Sequence, residues 1–284
     1  MDEARQLEQE REEHNTLYGE QRARLLEQSF NWQQYYDLVA KPPHRGGTLY
    51  GQDHALFLGR LREILKAYAP EEAHILDYGC GTGALGIALA SLGYRVTGFD
   101  LSEEGVAVAQ QLASQHGLAP QTDFVVANAQ ELPFADQSFD LVVGKAVLHH
   151  TIKYPGTAAE LHRVMKTGAT AVFLEGAASN PLIALARRFT IQEELGDVPL
   201  TIERVQEFGV PFSKVEMHGY FFLYMLKRLG YYSSDETLPD QGRNKLGKTG
   251  LFRGALRIAL AIDNALINKK ILSLAGRYII ELQK

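Results

Sequence analysis

The sequence predicts an α/β fold: a doubly wound, mostly parallel sheet of about seven strands, covered by helices on both faces. Two observations lead there. Between residues 75 and 175, short apolar runs alternate with amphipathic segments of helical length. The first of those runs ends in a cluster of glycines, as where a strand turns sharply into a helix.

The elements follow in order. Residues 1–30 are rich in Glu, Gln and Arg, and two readings stay open for them: an exposed helix or a disordered arm. Trp32, Tyr35, Tyr36 and Tyr50 come next, interrupted by Pro42-Pro43 and Gly46-Gly47. Leu58, Leu61, Leu65 and Tyr68 share one face of a helix over 55–68. Strands are expected over 75–78, 94–99, 123–127, 139–143 and 170–175. Helices are expected over 83–92, from a Ser102 cap to His116, and over 158–166. Past residue 175 the alternation loosens. Helices are expected over 181–189, 201–208, 220–229 and 252–267, and strands over 213–218 and 277–283. A polar, Gly-rich stretch over 232–250 reads as a loop or lid. The chain thus divides into an N-terminal helical or lid segment (1–54), partly flexible, a central core (55–175) and a substrate-side region carrying the last strands (176–284).

Composition bounds the function. The 284 residues are 45% hydrophobic and 22% charged, an ordinary globular mix. A formal net charge of −5 gives no global attraction to nucleic acid. Charge is uneven, however: residues 241–284 hold nine Lys and Arg against Asp263 and Glu281, a net of +7. Cys80 stands alone, so no internal disulfide can form, which fits a reducing, cytoplasmic setting. The first residues lack the apolar stretch of a signal peptide, and no uncharged apolar run approaches the ~18 residues of a membrane span.

The chemistry concentrates at Ile-Leu-Asp-Tyr-Gly-Cys-Gly-Thr-Gly (75–83). Gly79, Gly81 and Gly83 let the backbone turn tightly and approach a ligand, and the following helix offers free amides. Gly79, Gly81 and Ala84 also satisfy a dinucleotide pattern, and Asp100, at the end of the second strand, suits ribose hydroxyls under either reading. Asp77 separates the two. A carboxylate in that turn repels a pyrophosphate and attracts an ammonium. A third segment, Asn128-Ala-Gln-Glu-Leu-Pro-Phe134, can meet an adenine edge.

With Val-Thr-Gly-Phe-Asp-Leu-Ser (96–102), Ser-Phe-Asp-Leu-Val-Val (138–143), Val-Leu-His-His (147–150) and Glu-Leu-His-Arg-Val-Met-Lys-Thr-Gly (160–168), these motifs resemble the class I S-adenosyl-L-methionine (SAM)-dependent methyltransferases, in particular the small-molecule group. The resemblance covers about residues 55–175. It implies a Rossmann-like sheet with an antiparallel final strand, SAM as cofactor and a small-molecule methyl acceptor. It further implies that Gly79, Gly81 and Gly83 line the cofactor, that Asp77 supports its ammonium group and that Asp100 holds its ribose. Leu101 would pack on adenine, Asn128 and Ala129 would meet its edge, and the backbone near Lys145 would face the methionine moiety. This chain departs from the pattern at Asn128, usually Asp, at Lys145, usually small or neutral, and at Thr167-Gly168-Ala169, usually Pro-Gly-Gly.

Methyl transfer is an in-line displacement, so alignment and water exclusion matter most, with a base where the acceptor carries a proton. His149 and His150, after the fourth strand, are the candidate bases, with local packing as the plainer reading. Glu175 ends the fifth strand, where it can meet a cationic substrate or Lys145, or serve structure alone. Cys80, among glycines, reads as a small packing residue. His44, His54 and His218 show no metal-ligand spacing. The segment from Leu251 to Leu266 is apolar and basic, able to lie on an anionic membrane as a peripheral contact or to cover the sheet. Met217, Phe221, Phe222, Tyr224 and Met225 form an apolar patch suited to an apolar acceptor or to the core. Two other functions remain open: an NAD(P)-dependent oxidoreductase using the same glycine loop, and a non-catalytic cofactor-binding partner protein. The oligomeric state is not set by the sequence.

Overall fold

A computed structural model describes residues 3–27, 52–181, 198–220, 249–266 and 272–284. The expected aromatic segment around Trp32, the helix over 220–229 with its apolar patch from Phe221, and most of the 181–189 helix and the 232–250 loop lie outside them.

The strands are β1 (His74–Tyr78), β2 (Arg95–Asp100), β3 (Thr122–Val126), β4 (Phe139–Lys145), β5 (Met165–Gly176), β6 (Lys214–Tyr220) and β7 (Arg277–Gln283). They form one sheet in the order β3-β2-β1-β4-β5-β7-β6. Strands β1 to β5 pair in parallel, and β7 runs antiparallel between β5 and β6. Successive side chains serve opposite faces, as the pleat requires. Leu76, Tyr78, Val142 and Phe173 join one cluster, while Ile75, Leu141, Val143 and Leu174 join the other. Strands buried on both faces read as continuous apolar runs, which is why the sequence exposes them so clearly.

The helices are α1 (Glu3–Glu27), α2 (Gln52–Leu65), α3 (Ala84–Ala90), α4 (Glu103–Gln115), α5 (Leu148–Thr151), α6 (Thr157–Val164), α7 (Ile202–Phe208) and α8 (Gly250–Leu266). Phe57, Leu58, Leu61 and Leu65 of α2 are buried against the second cluster. Ser102 caps α4 as expected: its Oγ accepts the Gly105 N–H at 3.1 Å, with Glu103 and Glu104 in the first turn. The helix expected over 158–166 stops at Val164. Met165 is extended and begins β5, which runs through Gly168 at φ +79°.

Of the two readings of the N-terminus the structure shows the helix, largely exposed along its length. It does not stand apart, but lies against α4 and the ends of the sheet. Its Tyr18 ring packs so closely on Gly105 that a Cβ there would stand 3.0 Å from the ring. Asn15 Oδ1 accepts from Ser102 Oγ at 2.6 Å and from the Glu104 N–H at 3.2 Å, and Arg22 pairs with Glu104 at 2.8 Å. These anchors are mostly polar, so apolar periodicity could not disclose them.

Between β1 and β4 the winding reverses: β1 leads outward to β2 and β3, while β4 leads to β5. At such a switch point the C-terminal strand ends splay into a crevice where α/β sheets take ligands.

Candidate active site

The glycine loop leaves β1 at the switch point. Gly79 has φ +65°, and a Cβ there would also stand 2.2 Å from Val147 Cγ2, so this position needs glycine on two counts. Gly81 has φ +52°, and a Cβ on it would meet the Tyr18 hydroxyl at 2.8 Å. The loop is fixed to β2 through Asp100. The Gly81 N–H donates to Asp100 Oδ2 at 2.8 Å, and the Ser102 N–H donates to Oδ1 at 3.0 Å. Burial pushes the Asp100 carboxyl up, while these N–H groups and the nearby His14 pull against it.

Asp77 sits beneath the loop rather than on it. Its side chain is buried, and its Oδ2 accepts the Gly86 N–H at 2.9 Å, tying β1 to the first turn of α3. Burial raises this carboxyl to about 7 against that hydrogen bond. Cys80 is half-buried, and burial with Asp100 and Asp77 nearby pushes its thiol up, which leaves it unreactive. Leu101 is half-buried beside Asp100. Beyond β3, Asn128 Oδ1 accepts the Gln130 N–H at 3.0 Å, so its side chain shapes its own turn, and Ala129 is buried behind it.

The turn after β4 completes the edge. Lys145 is half-buried, and Ala146 takes φ +54°, a left-handed backbone that a non-glycine residue adopts at a cost of about 1 kcal/mol or more. What holds it is Glu175 at the end of β5. This carboxylate is fully buried; Oε1 accepts the N–H groups of Val147 and Leu148, both at 2.7 Å. Oε2 lies 2.8 Å from His149 Nδ1. His149 was not among the partners expected for Glu175, and the pairing is a finding of the structure.

The two histidines differ. His149 is held by the carboxylate, which accepts from Nδ1 and leaves Nε2 as the basic nitrogen. The His150 ring lies tilted 4.2 Å from the His149 ring and edge-on 5.1 Å from His14 of α1, centre to centre. Burial, with the neighbouring His149, His14 and Lys153, brings His150 down to about 3, so it stays neutral and is a poor base.

Sequence reasoning missed the share of α1 in this edge. Glu10 is 4% exposed; it pairs with Lys153 and accepts from the Tyr154 hydroxyl at 3.1 Å. Glu3 accepts from Gln130 at 2.7 Å. Half-buried Tyr18 lies beside Asp100, and burial raises its phenol.

Elsewhere, Glu216, His218 and Glu281 bring ligand atoms within 4.8 Å of one another across β6 and β7, a grouping that sequence spacing did not suggest. Arg60 already grips both oxygens of Glu281, at 2.6 and 2.8 Å, and supplies the positive charge there.

The strand order and the acid-ended β2 beside a glycine loop define the doubly wound class that binds nucleotide-containing cofactors. Comparison with known proteins narrows this. A methyltransferase-domain model matches residues 76–173. The ubiquinone biosynthesis O-methyltransferase of Rhizobium leguminosarum bv. trifolii is 33% identical over 176 residues, covering 54% of this chain and 68% of that one. The chain belongs to the class I SAM-dependent methyltransferases. The demethylmenaquinone methyltransferase of Lactiplantibacillus plantarum is 35% identical over 119 residues, 41% of this chain and 50% of its own length. The chain spans about half the length of the first curated relatives it matches. In fold it is similar to phosphoethanolamine N-methyltransferase 2 of Haemonchus contortus, at a TM-score of 0.57 and 17% identity over 88% of this chain and 56% of that one.

Proposed function

We propose that this protein transfers a methyl group from SAM to an oxygen or nitrogen atom of a small organic acceptor. The His149–Glu175 pair carries the reading: a base held by a buried carboxylate on a turn packed against the glycine loop. O- and N-methyltransferases among the relatives support an acceptor of this kind. They do not favour the oxidoreductase alternative.

The residues present fit the cofactor. Gly79 and Gly81 form a cradle that a Cβ would fill, and Asp100 is held at the loop's edge with lone pairs left for ribose hydroxyls. In this reading Asn128 and Ala129 meet the adenine edge and Leu101 packs on its ring. Asp77 acts from below, by fixing α3 and by its charge. SAM, when bound, supplies an activated methyl group. The chain's own work is alignment and proton handling. Nε2 of His149 takes the acceptor's proton as its oxygen or nitrogen gains the methyl group, and Glu175 stabilises the imidazolium that results. Helix α1, drawn over the edge by Glu10, Asn15 and Tyr18, excludes water. The single Cys80 supports a cytoplasmic setting, which cell fractionation tests.

Incubation with methyl-labelled SAM and fractionated cell extract tests the proposal. Label entering a small organic product supports it. Binding of S-adenosylhomocysteine with no transfer to any fraction favours a non-catalytic binding protein, and label in macromolecules overturns the acceptor class.

A further inference from the structure

Helix α8 is apolar on two sides. One side faces the protein: Phe252 packs against the core cluster of β1, β4 and α2, and Ala259 is buried. The other side faces outward. Leu251 is 88% exposed, Ile258 65% and Ile262 43%, and Ala255 is exposed between them. Spacings of four, three and four residues place these side chains in one stripe along the helix. Single exposed apolar residues are ordinary, but an aligned row on one helix is not.

The stretch of sequence that contains this helix is basic. Residues 243–270 contain Arg243, Lys245, Lys248, Arg253, Arg257, Lys269 and Lys270 against Asp263 alone, a net of +6 in a chain of net −5. Arg257 is exposed and falls on the flank of the stripe away from Ala259. Among the described residues no helix is long and apolar enough to cross a membrane.

We infer that α8 lies on the surface of an anionic bilayer, with Leu251, Ala255, Ile258 and Ile262 sunk into the acyl boundary and Arg257 at the lipid headgroups. Apolar burial and charge act together in such helices. The other occupant of an apolar stripe is a second copy of the chain. Two copies of so basic a stretch of sequence repel one another, so the charge that favours an anionic surface opposes that pairing. The inference stands apart from the catalytic reading, since docking requires neither cofactor nor turnover. It adds a consequence: the acceptor drawn to such an enzyme is one that partitions into the bilayer.

Co-sedimentation of the full chain with vesicles tests this, using phosphatidylcholine alone and phosphatidylcholine mixed with phosphatidylglycerol. Binding to the mixed vesicles only, weakening as salt rises, is expected. Ile258→Glu and, separately, Leu251→Glu lower the partition coefficient by roughly tenfold or more, with unchanged thermal unfolding since both positions are exposed. Arg257→Glu weakens binding by a smaller factor. Failure to bind mixed vesicles overturns the inference, as does binding that neither apolar variant changes. Concentration-dependent dimerisation in analytical ultracentrifugation, abolished by Ile258→Glu in a protein that ignores vesicles, would assign the stripe to a second copy instead.

Discussion

Glu175 Oε2 lies 2.8 Å from His149 Nδ1, while its Oε1 takes the N–H groups of Val147 and Leu148 at 2.7 Å. One buried carboxylate therefore shapes the turn after β4 and selects the tautomer of the imidazole upon it. Glu175→Gln separates these duties. The amide oxygen still accepts from the two backbone groups, but the amide NH2 now faces Nδ1 and moves the histidine proton to Nε2. Turnover should fall by on the order of 10²-fold or more, as for wrong-tautomer variants of catalytic histidines. Affinity for S-adenosylhomocysteine, read by calorimetry, should hold within about threefold. Equal losses in both would make Glu175 a residue of the fold alone.

Asp100 is the strongest single test of cofactor placement. Asp100→Ala removes charge-assisted bonds to the ribose and should weaken S-adenosylhomocysteine by about 1–3 kcal/mol. Asp100→Asn keeps an acceptor for only one of the Gly81 and Ser102 N–H groups and turns its NH2 on the other, so it should also weaken binding. Unchanged affinity in both variants would remove the ribose assignment.

Gly79 and Val147 join the cofactor loop to the histidine turn. Gly79→Ala places a Cβ 2.2 Å from Val147 Cγ2 at a φ of +65°. It should destabilise the protein by roughly 2–4 kcal/mol through overpacking and backbone strain together. Adding Val147→Ala relieves the clash but not the strain, so the double variant should recover part of the loss in urea unfolding. No recovery at all would mean that the two loops do not share this contact.

Asp77 makes stability depend on pH in an unusual direction. Its carboxyl rises from 3.8 to about 7 on folding, so between those values the folded chain binds the proton more tightly. The stability that proton brings is present in full at low pH and is lost as pH rises towards 7. Relative to wild type, Asp77→Asn should therefore gain stability from about pH 4 to 7 and level off above, by about 4 kcal/mol at most. Its amide oxygen still accepts from Gly86. Parallel stability curves for the two proteins across that range would show that Asp77 does not titrate there.

Much of this was legible in the sequence because the features concerned are local. A parallel strand buried on both faces is an apolar run, as in β1, β4 and β5. The glycine loop, the Ser102 cap and the acid at residue 100 are spacings within a few positions. What stayed hidden depends on contacts between distant residues. Glu175 and His149 are 26 positions apart, and nothing in either segment announces the bond. Glu10 meets Lys153 and Tyr154 across 143 and 144 positions, through polar atoms that carry no periodicity. The start of β5 was missed by five residues because Gly168 breaks its pattern while the strand continues around it. That His149 meets a carboxylate while burial lowers His150 follows from what surrounds each ring, which adjacent letters in a sequence cannot express.

Helix α1 touches Gln130, Lys153 and His150 at one end of the crevice and Gly81, Ser102 and Glu104 at the other. Among the described residues a single helix thus reaches both halves of the site, and under the proposed function cofactor and product leave past it. Lifting it breaks those contacts together, so departure is expected to be slow compared with the transfer itself. Turnover should then fall in proportion as sucrose or glycerol thickens the solvent. Replacing Glu10 and Asn15 with alanine should raise the plateau rate and erase that dependence. A rate indifferent to viscosity in the unaltered protein would place the slow step in the chemistry.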